Sequence, residues 1–223
     1  MSIRSVAVFC LLPLCTSVAR GDEAVDARKT LDEAVETFQA FASDPGMTGF
    51  RHRLAEARGI LVLPKVVKAG FIIGGSGGRG VLIVRDEARS DWSPPVFYTM
   101  GSGSVGLQVG VQVAEIALLV MSQKGIDALM GAKVQFGGDV SVAAGPVGVG
   151  QQSASADVLG YSRSKGVYAG LSLDGAYIDP DDSRNAAYHG QSDISPSEII
   201  VQRSIEDEDS LKLRGVVAIA AAR

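Results

Sequence analysis

The chain has 223 residues, and its 21 Lys and Arg against 25 Asp and Glu give a formal net charge of −4 at pH 7. That balance excludes the basic footprint of a nucleic-acid binder, and the length suits one domain with a core of its own. Among its few chemistry-bearing residues are two cysteines, Cys10 and Cys15, and two histidines, His52 and His189.

Arg4 is the only charge before Arg20, and the apolar run between them ends in Ser17-Val18-Ala19. A basic start, an apolar middle and a small-x-small end predict a secretory signal peptide. The run falls short of the roughly 20 apolar residues of a membrane-spanning helix. The expected segment is 1–19, and cleavage after Gly21 fits equally well. Its removal takes away Arg4 and both cysteines and moves the formal charge from −4 to −5. The processed chain would then carry no thiol, disulfide or Cys metal ligand. The expected location is the periplasm or cell envelope.

Leu31, Ala34, Val35, Phe38 and Phe41 recur at spacings of three and four and predict a helix over 22–43, ended by Asp44-Pro45-Gly46. A second helix is expected over 48–58. Short β-rich runs then follow at 60–63, 70–73, 81–84, 96–100, 102–113 and 115–121. After a short helix over 124–130, further runs lie at 133–136, 139–144, 155–161, 167–173 and 176–178. Strand after strand without long intervening helices argues for an antiparallel arrangement. The expected fold is α+β, with N-terminal helices packed on a Gly-rich, mainly antiparallel, curved sheet, barrel or sandwich. The domain is expected over 22–203, with a C-terminal tail over 204–223 whose structure is left open.

Gly75-x-Gly77-x-x-Gly80 and Gly101-x-Gly103-x-x-Gly106 match the dinucleotide fingerprint, but a strand-like run follows the first where a helix is required. Both are read as turns and bulges in a curved sheet. Asp179-x-Asp181-x-Ser183 opens like a calcium loop, yet Arg184 stands where glycine is needed, so it reads as an acidic turn. His52 is read as solvated and His189 as a turn residue. With no nucleophile elbow, no catalytic residue, metal or cofactor is assigned, and the chain is read as a non-enzyme.

A series of blocks carries a resemblance. They are Arg58-Gly59-Ile60, Lys68-Ala69-Gly70-Phe71-Ile72-Ile73-Gly74-Gly75, Trp92-Ser93-Pro94-Pro95, Ser104-Val105-Gly106-Leu107-Gln108-Val109-Gly110, Tyr161-Ser162-Arg163-Ser164-Lys165-Gly166, and Tyr168 to Gly175 followed by Asn185. In this order they resemble the SYLF domain family over roughly 30–200. Eukaryotic relatives are associated with phosphoinositide-rich membranes and with actin, and exported bacterial relatives with lipid. The resemblance implies an exported membrane-binding module whose partner is anionic phospholipid, with no nucleic acid. An envelope scaffold that binds another protein is the alternative. Lys68, Arg163 and Lys165 lie in matched blocks, and Lys65 and Arg79 lie beside them. These five are the candidate headgroup contacts, because Lys and Arg pair with phosphate oxygens.

Overall fold

The computed structural model describes residues 16–70, 73–105, 110–145, 156–164, 167–168, 173, 175–203 and 208–222. Helix α1 runs Thr16–Ser43, so the expected cleavage points fall within its first turns. Asp44 ends it and caps a single 3-10 turn, Pro45–Met47, its carboxylate accepting from Gly46 N–H at 2.8 Å. Helix α2 covers Thr48–Leu54, shorter than expected, because 55–58 leaves the helix to enter the sheet.

The strands are β1 (Gly59–Gly70), β2 (Ile73–Asp86), β3 (Asp91–Trp92), β4 (Val96–Val105) and β5 (Gly110–Val120). After helix α3 (Gln123–Met130) come β6 (Val134–Gln135), β7 (Val142–Ala144), β8 (Val158–Ser164), β9 (Val167–Tyr168) and β10 (Tyr177–Pro180). They form one curled sheet in the order β6-β10-β4-β2-β1-β5-β8-β7, with β3 on β2 and β9 on β8. Among the named strands of the described residues, β7 and β8 alone pair in parallel. The short expected run at 70–73 is where β1 gives way to β2, with 71–72 outside the described residues. Likewise the expected run 102–113 contains the end of β4 and the start of β5.

Alternation along the strands builds two cores. Ile60, Val62, Val81, Ile83, Phe97, Leu119 and Tyr161 turn to one face, where Leu31, Phe38, Phe41, Phe50 and Leu54 of the first two helices cover them. Phe50 is the hinge of this packing, 5.7 Å from Phe41 and edge-on to Tyr161 at 5.2 Å. Leu61, Leu63, Leu82, Tyr98, Ile116 and Leu118 turn to the other face, against Ile126 and Leu129 of α3, Phe136, Ile194 and Ile199. There Tyr98 Oη donates to Leu129 O at 2.6 Å, and burial pushes its phenol well above its ordinary value.

Helix α4 (Asp182–His189) stands where the sequence reads as an acidic turn followed by loop. Asp181 is its N-cap, bonding Arg184 N–H at 3.2 Å, and Gly190 ends it in the left-handed region at φ +69°. His189 is therefore a helix-end residue, its ring Nε2 lying 2.9 Å from Pro95 O. Arg184 is buried and reaches Asp181 at 2.6 Å and Asp26 of α1 at 3.2 Å, fastening α4 to the first helix. The tail contributes α5 (Leu211–Ala221), which buries Leu213 and Val217 in the helix-covered core. Arg214 of α5 pairs with Asp91 beside Trp92.

Candidate functional site

Pro64 decides where the charges of β1 point. Proline cannot donate to a ladder and is accommodated at bulges. The pairing of β1 with both neighbours shifts register at this position, between Val62 and Lys65 on one side and Leu63 and Val66 on the other. The extra residue turns Lys65 to the helix-covered face. There it is the direct cross-strand partner of Arg79, which is the partner of Thr99 on β4. On the far side of β1, Glu115 of β5 faces Arg163 of β8. A charged row thus crosses the sheet just beyond α1.

Two hollows lie along this row beside α1. One, of about 550 Å³, is lined by Lys65, Arg79, Thr99 and Gly77 from the sheet and by Asp26, Lys29 and Glu33 from the helix. The other, of about 630 Å³, is lined by Glu33, Glu36, Lys65, Val113, Glu115 and Arg163. Lys65, Arg79 and Arg163 of the five candidates therefore share a face. Arg163 is already neutralised, with Nη2 2.6 Å and Nε 2.8 Å from Glu115 Oε2. Lys65 and Arg79 are exposed, and no carboxylate among the described residues lies within ion-pair distance of either. Like charges directly opposite on neighbouring strands repel, so this pair is a local excess of positive charge on an acidic protein.

Lys68 is separated from the others. It faces Ser76 and Gln112 across the strands, on the opposite side of the sheet. Ser76 and Ser102 share a hydrogen bond at 2.6 Å in that row, and Gln112 donates to Ser164 at 3.1 Å. Lys165 lies outside the described residues.

Beyond the charged row the helix-covered face continues without a helix. The two glycine motifs meet here: Gly75 pairs with Gly103 and Gly77 with Gly101. These four are interior strand positions rather than the expected turns and bulges, and Gly106 lies outside the described residues. Val67, Ala69, Val111 and Val113 flank them on β1 and β5, with Val111 74% and Val113 37% exposed. Tyr177 of β10 lies over Gly101, and Lys133 Nζ sits 3.7 Å from its ring centroid. Sequence reasoning missed this surface, although every-other-residue glycine in two neighbouring strands was its signal. A further hollow, about 880 Å³, lies elsewhere and is lined by Asp179, Asp182 and Asp193 among others. Among the described residues no group of three or more His, Cys, Asp or Glu is placed to hold a metal ion, and no helix is long and apolar enough to cross a membrane.

Residues 101–219 match the family model Ysc84, described as Las17-binding protein actin regulator. The chain is 31% identical over 155 residues to SH3 domain-containing YSC84-like protein 1 of Xenopus laevis, covering 67% of this chain and 46% of the relative. It is 30% identical over 176 residues to Protein YSC84 of Saccharomyces cerevisiae, covering 75% and 37%. The human SH3 domain-containing YSC84-like protein 1 is 29% identical over 184 residues, covering 80% and 52%. The chain thus spans about half the length, or less, of these relatives. No solved structure matches it significantly.

Proposed function

This chain belongs to the Ysc84 (SYLF) family, and from that premise we propose that it is a non-catalytic binding module for anionic lipid headgroups at a membrane surface. The observation that carries the reading is the Lys65–Arg79 cross-strand pair, exposed beside α1 with no carboxylate at ion-pair distance among the described residues. Each basic residue near an anionic surface contributes about 1 kcal/mol. Attraction on a chain of formal charge −4 must come from such a local patch. It should weaken as the Debye length falls from about 10 Å at 0.1 M salt to about 3 Å at 1 M.

The test is co-sedimentation with phosphatidylcholine vesicles with and without phosphatidylglycerol, at low and high salt. Wild type is expected to bind only the anionic vesicles and to release in high salt. Changing Lys65→Gln and Arg79→Gln together should reduce partitioning on the order of thirtyfold, with circular dichroism unchanged. Equal binding by wild type and the double variant removes the site. A wild type that ignores every vesicle removes the lipid reading. It then favours the second one, a protein-binding scaffold, for which the description of the family as Las17-binding is the specific support.

Export to the periplasm or cell envelope is part of the proposal and rests on the charge and hydropathy pattern of 1–19. N-terminal sequencing of the protein from an envelope fraction is expected to start at Arg20 or Asp22. A product that retains residues 1–19 overturns it.

A further inference from the structure

Glycine weakens a strand interior, because it gives up the most backbone freedom and packs no side chain. Where it recurs, something usually demands it. At Gly78 and Gly80 the demand is visible: a Cβ would stand 2.8 Å from Lys65 O and 2.6 Å from Val62 O. At Gly101 the ring of Tyr177 fills the space, 2.7 Å from a Cβ. At Gly77 the nearest atom would be at an ordinary 3.7 Å, and at Gly103 nothing lies within 4 Å. Neither has a left-handed φ. The fold itself has no need of glycine at 77 and 103, and the consequence of having it there is a smooth surface.

That surface is a stripe two rows deep. One row reads Val111, Ala69, Gly75, Gly103, and the next Val113, Val67, Gly77, Gly101, across β5, β1, β2 and β4. At strand spacing it is about 14 Å wide. Tyr177, 39% exposed, forms its wall at the β4 end. The charged row with Lys65 and Arg79 forms its border toward α1. In the middle of the stripe β1 is paired with β5 and β2, and β2 with β1 and β4, so neither offers a free ladder there. A peptide strand cannot add over β1 and β2, and the β2 and β4 half of the floor, where every position is glycine, has no side-chain relief to form pockets for a partner's side chains. A featureless apolar chain joined to an anionic group fits both the floor and its basic border.

We propose that this glycine stripe seats an acyl chain of a single anionic phospholipid, whose headgroup meets Lys65 and Arg79. The inference rests on the lipid reading above and adds to it that the protein holds one lipid molecule rather than only adhering to a charged surface. The carboxylates of Asp26 and Glu33, which line the same hollow as Lys65 and Arg79, set the headgroup's limits. Lys29 stands with them on the helix side.

The probe is monomeric dihexanoyl phosphatidylglycerol, titrated into the full chain by calorimetry. Glycerol phosphate and dihexanoyl phosphatidylcholine serve as head-only and neutral-head controls. The variants are Gly103→Leu alone and Gly77→Leu with Gly103→Leu, which fill the stripe where a side chain has room. Wild type is expected to bind the anionic lipid at least about tenfold more tightly than either control. The double filling variant should lose about tenfold, the worth of some two buried methylene groups, and the single variant part of that. In the Gly103→Leu variant, whose position lies outside the hollow lined by Lys65 and Arg79, anionic vesicle binding should stay within about twofold. Thermal melts verify that both variants are folded, and Gly103→Leu, whose position is unobstructed, keeps the test open if the double variant is not. Unchanged lipid affinity in the filled variants overturns the seat, as does glycerol phosphate binding as tightly as the lipid. Binding to vesicles without any binding of the monomeric lipid also overturns the seat while leaving the surface-binding function intact. Loss of both kinds of binding in wild type overturns the function and the seat together.

Discussion

Single glycines here do opposite jobs at almost adjacent positions, and the difference is measurable. Gly80 lies where β2 crosses the bulged part of β1, and an added Cβ would press on the Val62 carbonyl and on Leu63. Backbone cannot swing aside as a side chain tip can, so Gly80→Ala should overpack the sheet and cost about 1–3 kcal/mol. Gly103→Ala meets nothing and should be neutral or stabilising by about 0.5–1 kcal/mol, since alanine loses less backbone entropy. Urea denaturation of the two variants decides this. Equal destabilisation by both would mean that the stripe is tightly packed after all. The sequence shows both residues as members of similar Gly-x-Gly patterns and cannot distinguish them. What separates them is which neighbour's carbonyl lies above each Cα, a fact of strand pairing.

At the scale of elements, periodicity made α1 and the main strands legible, and with them an α+β fold with N-terminal helices on a glycine-rich antiparallel sheet. Two things stayed hidden for physical reasons. Helix α4 opens with Asp182, Ser183 and Asn185, residues whose side chains compete for backbone hydrogen bonds and favour turns. Its stability comes from elsewhere: Arg184 reaches into the carboxylates of Asp181 and Asp26. Asn185 accepts from Phe97 N–H at 2.8 Å and donates to Phe97 O at 3.1 Å, standing in for a strand partner. Asn185 belongs to the ordered blocks that carry the SYLF resemblance, so its position was visible but its task was not. The second hidden feature is the bulge at Pro64. Strict alternation from Leu63 would aim Lys65 away from the helices, and the inserted residue brings it beside Arg79 instead. Of the five candidate basic residues, the sequence could name the types. Only the register could sort Lys65, Arg79 and Arg163 from Lys68.

The whole molecule is a single sheet with a core on each face, so its stability depends on clamps that hold the covering elements to both. On the α3 side Asp157 is such a clamp. Its carboxylate accepts from Ser122 Oγ, the cap of α3, at 2.6 Å, and from Ser141 N and Oγ next to β7 at 3.0 and 2.7 Å. The Ser122 hydroxyl foremost, then the two Ser141 donors and the nearby Lys124, hold its pKa at about 2 against the opposing effect of burial. On the α5 side burial pushes Asp91 up. The Trp92 N–H and the Arg203 and Arg214 guanidiniums outweigh it, so its carboxyl is also depressed. A carboxyl held below its unfolded value lets the unfolded chain take up protons first as pH falls. The stability it contributes is therefore complete above about pH 4, the ordinary carboxylate value, and is lost as pH drops through the folded value. For Asp157 that window runs from about pH 4 down to about 2. The expected outcome is a urea midpoint that is flat from pH 7 to about 4 and falls steeply below it. Asp157→Asn should cost about 1.5 kcal/mol at neutral pH, the worth of a hydrogen bond to a charged group. The gap between the two proteins should close progressively toward pH 2, because protonated Asp157 and Asn are then equally uncharged. Parallel curves across the whole acid range would mean that the clamp does not act through its charge, and the acid sensitivity would then fall to Asp91 and the α5 side.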